Sequence, residues 1–185
     1  MKTQSTFKQI FTLTVTLLLI TAGVAAALAG VNTITAPIIA SINAEKTTKA
    51  IAAVLPDAET AVISYEASAK EDAVQTVYTS EAGYAVKVQV GGFGGTITMM
   101  VGVDKEGAVL GIDIISHAET ASLGDVAASK NAKGQAFRGQ FVGKTGTLAV
   151  NKDGGEIDAI TSATITSRAV TSGVNTALEF IANMG

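Results

Sequence analysis

Hydrophobic and polar positions divide this chain into stretches with different periods. From Ile10 to Val31 the run IFTLTVTLLLITAGVAAALAGV holds only Thr and Gly as non-hydrophobic residues, and no charge falls between Lys8 and Glu45. As a helix rising about 1.5 Å per residue it reaches roughly 33 Å, against a hydrocarbon core of about 30 Å, which predicts a transmembrane helix within residues 1–35. Its Thr hydroxyls bond back to carbonyls one turn earlier, so lipid tolerates them. The competing reading is a cleaved leader, with Lys2 and Lys8 as its basic start and Ala27-Leu28-Ala29 as a small-x-small cleavage site. A leader's apolar region spans about 7–15 residues, and the longer run here favours a retained anchor. Lysines ahead of the helix place a single-pass N-terminus in the cytoplasm and the body outside a bacterial cell membrane.

Residues 36–58 read as a linker with a short helix, Ala44–Leu55, that stops before Pro56 because the residue preceding Pro disfavours helix. Residues 59–185 form a single domain in which the period changes to two. Tyr84, Val86, Val88 and Val90 alternate with Ala85, Lys87 and Gln89, the pattern of a half-buried strand. Thr96–Val103 and Ala108–Ile115 follow, joined by the hairpin loop Asp104-Lys105-Glu106-Gly107. Val62–Tyr65, Val74–Tyr78, Leu148–Val150 and Glu156–Ile160 are shorter strand candidates. Val170, Val174, Ala177, Leu178 and Ile181 recur at helical spacing and predict a closing C-terminal helix. The expected class is α+β: an N-terminal transmembrane helix, a twisted antiparallel sheet and a C-terminal helix.

Composition removes whole chemistries. The chain has no Cys and one His, so thiolate metal sites, disulfides, iron–sulfur clusters, a Cys nucleophile and a lipoprotein anchor are excluded, and no metal site is expected. A net charge of −3 without a Lys/Arg cluster argues against nucleic acid as a partner. Gly91-Gly92-Phe93-Gly94-Gly95 fails as a dinucleotide loop, because Ile97 stands where the last Gly is needed, and it reads as a tight turn or as a place of close approach to a flat ligand. Arg138–Thr145 is one residue short of a phosphate-binding loop.

Two segments remain. Ser116–Gly124 packs His117, Glu119 and Thr120 into a polar loop at a strand end, suited to a ligand rim. Asp158–Arg168 carries the hydroxyls of Thr161, Ser162, Thr164, Thr166 and Ser167 just ahead of the last helix. One hydroxyl caps a helix; more of them beside free N–H groups and a positive dipole end suggest an anion or phosphate site, with Arg168 adding charge.

The run DAITSATITS resembles the flavinylation motif D-x-x-[ST]-G-A-T-x-[ST] of the FMN-binding domain family. GGFGGTITMMVGVDKEGAVLGIDI resembles that family's Gly-rich hairpin, and HAETASLGD its H-x-E-T-P-G-L-G loop. The whole chain is similar to the G-subunit family of Rnf-type ion-translocating ferredoxin:NAD oxidoreductases, whose sister family is the C-subunit family of the Na⁺-translocating NADH:quinone reductase. The resemblance implies FMN joined through its phosphate to the Thr164 hydroxyl. Thr161, Ser162, Ala163 and Thr166 would surround the phosphate, and Asp158 belongs to the recognised motif. Glu119, Thr120, Leu123 and Gly124 would line the ring, with His117 in the same loop. It further implies a separate Mg-dependent flavin transferase that takes the FMN moiety from FAD, since Thr164 has no Lys or His in its motif to act as base. The implied role is an electron carrier with no acid or base of its own, in a complex with other membrane and redox subunits that couples ferredoxin–NAD chemistry to Na⁺ or H⁺ transport. Ser162 replaces the motif's Gly, and Ala121-Ser122 replaces Pro-Gly in the loop; a left-handed backbone at Ser162 would be strained.

Two other readings stay open. A pilin-type structural protein also has a long N-terminal apolar helix and an α+β head, although this apolar run lacks the acidic residue that pilins carry. An exported module holding FMN noncovalently has the same sequence pattern without the tether.

Overall fold

The structure, a computed structural model, describes residues 3–69 and 72–184, so Lys2 of the basic start lies outside the described residues. Two compact units divide between Glu45 and Lys46. Helix α1 spans Thr3–Val54 and is one helix where the sequence predicted an anchor followed by a separate short helix. Pro37 lies inside it. Proline removes one backbone donor, but its fixed φ is helical, and membrane-type helices tolerate it where side chains take up freed backbone groups. The expected end before Pro56 holds: Leu55 N–H closes the last turn on the Ile51 carbonyl at 2.8 Å.

In the first unit, Thr12, Thr14, Thr16, Thr21, Thr33 and Thr35 each donate to the carbonyl four residues back, at 2.8–3.0 Å. Large apolar side chains from Phe7 to Ile42 are exposed, and the helix is long and apolar enough to cross a membrane.

In the second unit, β1 (Val62–Glu66), β2 (Val74–Thr79), β3 (Gly83–Gly91), β4 (Thr96–Asp104) and β5 (Val109–Ser116) form an antiparallel meander in the order β1-β2-β3-β4-β5. The β3–β4 ladder runs unbroken from Gly83↔Asp104 to Gly91↔Thr96, and the Asp104–Gly107 hairpin forms as expected, with Gly107 at φ +86°. One sheet face, with Val77, Val86, Val88, Met99, Val101 and Val103, packs under helix α3 (Thr164–Met184) through Val170, Val174, Ala177, Leu178 and Ile181. The other face carries Ala85 and Met100 against Ala50, Ile51, Val54 and Leu55 at the end of α1. Strand β4 is therefore buried on both faces, and each fully buried Val or Met there contributes roughly 1.5–3 kcal/mol. Gly102 makes the second contact possible, because a Cβ there would lie 2.4 Å from the Val54 carbonyl oxygen.

Helix α2 (Ala132–Gly139), capped by the Asn131 side chain on Gly134 N–H at 3.0 Å, has no counterpart in the sequence expectations. Its Phe137 and the following Phe141 meet edge to face, ring centroids 5.6 Å apart, and close the core below α3. The two late strand candidates are not strands. Leu148–Val150 and Glu156–Ile160 meet only at one bridge, Val150↔Ile157, around a 3₁₀ turn at Asn151–Asp153. A turn this close to both segments leaves no length for a ladder.

Candidate functional site

Three segments converge at one end of the sheet: the Gly91–Gly95 turn joining β3 and β4, the loop after β5, and the first turn of α3. They enclose a cleft of about 340 Å³ lined by Phe93, Glu119, Thr120, Leu123, Gly124, Ser162, Ala163, Thr164, Ile165 and Thr166. That size lies within the range of small-molecule sites, roughly 300–1,000 Å³.

Its polar floor is the start of α3. Thr164, Ile165 and Thr166 carry the first backbone N–H groups of the helix, and Ser167 N–H is the first to bond back, to the Ala163 carbonyl at 3.0 Å. Ala163, standing before them, has no side-chain acceptor, so the helix is uncapped where it meets the cleft. Of the five hydroxyls predicted to gather here, two are used by the fold. Ser167 Oγ accepts from Ile160 N–H at 2.9 Å and donates to the Ala163 carbonyl, while Thr166 Oγ1 donates to the Glu119 carboxylate. Among the described residues, the hydroxyls of Ser162 and Thr164 have no hydrogen-bond partner and line the cleft. Ser162 holds φ +64°, the left-handed conformation expected to strain a residue with a Cβ, and Ser122 holds φ +63°.

The upper walls are apolar. Phe93 at the hairpin tip, Ile165 and Leu123 are 67%, 50% and 41% exposed. Gly92 and Gly94 are required where the hairpin crosses the loop: a Cβ on Gly94 would lie 2.0 Å from the Ala118 carbonyl, and one on Gly92 2.3 Å from Glu119 Oε1. Glu119 is buried and ties the segments together, its Oε1 accepting Gly94 N–H at 3.0 Å.

Eight expected site residues thus line the cleft: Glu119, Thr120, Leu123, Gly124, Ser162, Ala163, Thr164 and Thr166. Three do not. His117 lies behind the wall, its Nδ1 accepting the Glu119 N–H at 3.2 Å. Asp158 and Thr161 face an adjoining cavity of about 720 Å³ under α2, shared with Ser122, Leu123 and Ser162. Asp158 is held there by Asn151 Nδ2 at 2.9 Å, and Gln140 brackets its backbone at N–H and carbonyl. Arg168 turns away from the anion site to a two-point pair with Asp153, at 2.6 and 2.7 Å. That guanidinium holds the Asp153 carboxyl below the usual range. The sequence places Phe93 in a segment that reads as a tight turn or as a close approach to a flat ligand, without giving its side chain a role, and does not single out Ile165; the available signal is an aromatic residue at a glycine turn too short to bury it.

Residues 92–179 match the FMN-binding domain family, so every cleft residue falls inside that match. The chain is 32% identical to the G subunit of the Na⁺-translocating ferredoxin:NAD⁺ oxidoreductase complex of Acetobacterium woodii, over 99% of this chain and 97% of that one. It is 44% identical to the G subunit of the proton-translocating ferredoxin:NAD⁺ oxidoreductase complex of Clostridium ljungdahlii, over 52% of this chain and 51% of the relative. With the G subunit of the ion-translocating oxidoreductase complex of Stutzerimonas stutzeri it shares 39% identity over 52% of this chain and 43% of the relative. The crystal structure of the C subunit of Na⁺-translocating NADH-quinone reductase from Parabacteroides distasonis superposes with a TM-score of 0.54 at 21% identity, over 76% of this chain and 92% of that one, and shares the α+β fold. An uncapped helix start in an apolar cleft, within an FMN-binding domain whose relative spans the chain end to end, gives the assignment: this chain belongs to the G-subunit family of ion-translocating ferredoxin:NAD⁺ oxidoreductase complexes.

Proposed function

We propose that this chain is the membrane-anchored electron-transfer component of such a complex, carrying FMN tethered through its phosphate to Thr164 on the extracytoplasmic side. The observation that carries this reading is the Thr164 hydroxyl. It is free of hydrogen bonds, lines the cleft, and stands on the first helical residue of an uncapped α3. The residues fit the cofactor at both ends: unpaired N–H groups and a dipole end suit a phosphate, and Phe93, Leu123 and Ile165 suit a flat aromatic ring. Bound there, FMN supplies one- and two-electron chemistry.

The chain's own residues hold and orient. Thr164 Oγ1 would hold FMN as a phosphoester, its bond to phosphorus replacing the pyrophosphate bond of FAD, with AMP as the leaving group and the hydroxyl proton taken by a base of a flavin transferase. Asp158, outside the cleft, presents the motif to that enzyme. Ser162 and the N–H groups of Thr164, Ile165 and Thr166 would donate hydrogen bonds to the phosphate. α1 anchors the domain in lipid, with Lys8 on the cytoplasmic side. Other redox and membrane subunits then give and take the electrons. A tether suits this location, where a dissociated flavin is lost.

Intact mass and in-gel fluorescence test the reading. Chain isolated from its native host should carry one added FMN that survives denaturation, and Thr164→Ala should abolish it while the domain stays folded. An unmodified native mass, or fluorescence retained by Thr164→Ala, overturns it. Flavin that leaves on denaturation instead supports a noncovalent module.

A further inference from the structure

Glu119 is a buried carboxylate that electron transfer through a tethered flavin does not require, and it is placed where three segments cross. It is 9% exposed. One oxygen accepts the backbone N–H of Gly94 at 3.0 Å, and the other accepts the hydroxyl of Thr166. Its own N–H is held by His117 Nδ1 at 3.2 Å. Glycines make room for it: a Cβ on Gly124 would lie 2.6 Å from Oε2, and one on Gly92 2.3 Å from Oε1. Both oxygens act as acceptors, with a donor on each side.

We propose that Glu119 is a positioning residue with two separable effects: its reach latches the Phe93 hairpin onto the start of α3, and its charge makes a flavin in the cleft harder to reduce. The latch follows from connectivity. Gly94 adjoins Phe93 at the hairpin tip, Thr166 lies in the first turn of α3, and Glu119 bonds to both. The charge effect follows from placement. A fixed negative charge in a poorly solvated wall opposes the addition of electrons to a group lying against it. The second effect rests on the proposed FMN site; the first does not.

Two conservative variants separate the effects. Glu119→Gln keeps the reach, because its carbonyl still accepts from Gly94 and its amide donates to the Thr166 hydroxyl, but it removes the charge. Glu119→Asp keeps the charge and shortens the reach. On full-length, flavin-free chain in detergent, checked by intact mass, Glu119→Asp should speed hydrogen exchange at the Gly94 amide by about tenfold, whereas Glu119→Gln should leave it within about threefold of wild type. Unchanged Gly94 exchange in Glu119→Asp overturns the latch. On FMN-loaded chain, Glu119→Gln should reduce at a more positive potential than wild type, with Glu119→Asp closer to wild type. Equal potentials for wild type and Glu119→Gln overturn the charge effect. A chain that never loads FMN counts against the proposed function alone, since the exchange measurement stands on the flavin-free protein.

Discussion

Ser122 and Ser162 hold the same left-handed backbone, φ +63° and +64°, and both line the cavity beside the cleft. They are the only non-glycine residues in that conformation among the described residues. Both stand where the family motifs resembled by this chain carry glycine. An L-residue there costs about 1–2 kcal/mol, and such strain persists where the surroundings over-determine it. Glycine's extra freedom in the unfolded chain returns about 0.5–1 kcal/mol of the gain. Ser162→Gly and Ser122→Gly are each expected to stabilise the domain by about 0.5–1 kcal/mol net, while Ser162→Ala brings no gain. Urea midpoints followed by Tyr fluorescence, in a chain without Trp, check this. A midpoint that falls in both glycine variants contradicts the strain.

How much of this was legible in the sequence depends on how local each cause is. Strand β3 was readable because Val86 and Val88 face a helix while Lys87 and Gln89 lie only partly buried. The start of α3 was readable as chemistry because its hydroxyls are clustered, although the structure diverts Thr166 and Ser167 to internal bonds. The diversion of Arg168 was not readable, since its partner Asp153 comes from a separate turn. Helix α2 was hidden because its short run AKGQAFRG buries only Gly134 and Phe137, too few positions to display a period. The continuity of α1 through Pro37 is not legible in the sequence, because proline's φ is compatible with a helix even where its missing N–H is not.

The glycines facing buried neighbours make a graded series. A Cβ at Gly102 would lie 2.4 Å from a backbone carbonyl oxygen, that of Val54, which cannot move without lifting the end of α1 off the sheet. At Gly173 the obstacle, at 2.3 Å, is the Met99 methyl, the far end of a flexible side chain. At Gly111 the nearest atom is 3.6 Å away, an ordinary contact. Gly102→Ala is expected to cost about 2–3 kcal/mol, Gly173→Ala about 1 kcal/mol, and Gly111→Ala about zero. Thermal unfolding of the three variants gives the order; a Gly102→Ala midpoint equal to that of Gly111→Ala removes the argument for close approach.

Acid sensitivity divides two carboxylates with opposite signs. The Arg168 hydrogen bond lowers the Asp153 carboxyl from its ordinary 3.8, so its stabilisation is present above about pH 4 and is lost as pH falls through the lower folded value. Burial raises the Asp113 carboxyl above 3.8, against the pull of Arg138 and Lys130. Folding therefore favours its protonated form, and that contribution fades as pH rises through the raised folded value. Asp113→Asn should raise the unfolding midpoint at pH 7 and lose that gain below about pH 4. Asp153→Asn should show the reverse, a small loss at pH 7 that vanishes in acid, as befits an exposed pair. Midpoints at about pH 7 and about pH 3.5 decide the signs, and a gain for Asp113→Asn that persists in acid is the contrary result.

Phe93 separates support of the fold from contact with a ligand. Its ring is 67% exposed at the tip of a turn whose glycines, not the ring, set the crossing with the loop at Ala118. Removing the ring therefore deletes little packing from the core, and Phe93→Ala should leave the urea midpoint within about 0.5 kcal/mol of wild type. The same ring walls the cleft above Thr164. If it covers one face of the bound flavin, the loaded variant should show flavin emission quenched more steeply by iodide than wild type, with equal flavin content by mass. An unchanged midpoint together with unchanged quenching puts the ring off the flavin and leaves Leu123 and Ile165 as its apolar walls. A midpoint that falls by more than about 1 kcal/mol would show instead that the hairpin tip supports the fold, as a buried aromatic does, where losses run to about 3–5 kcal/mol.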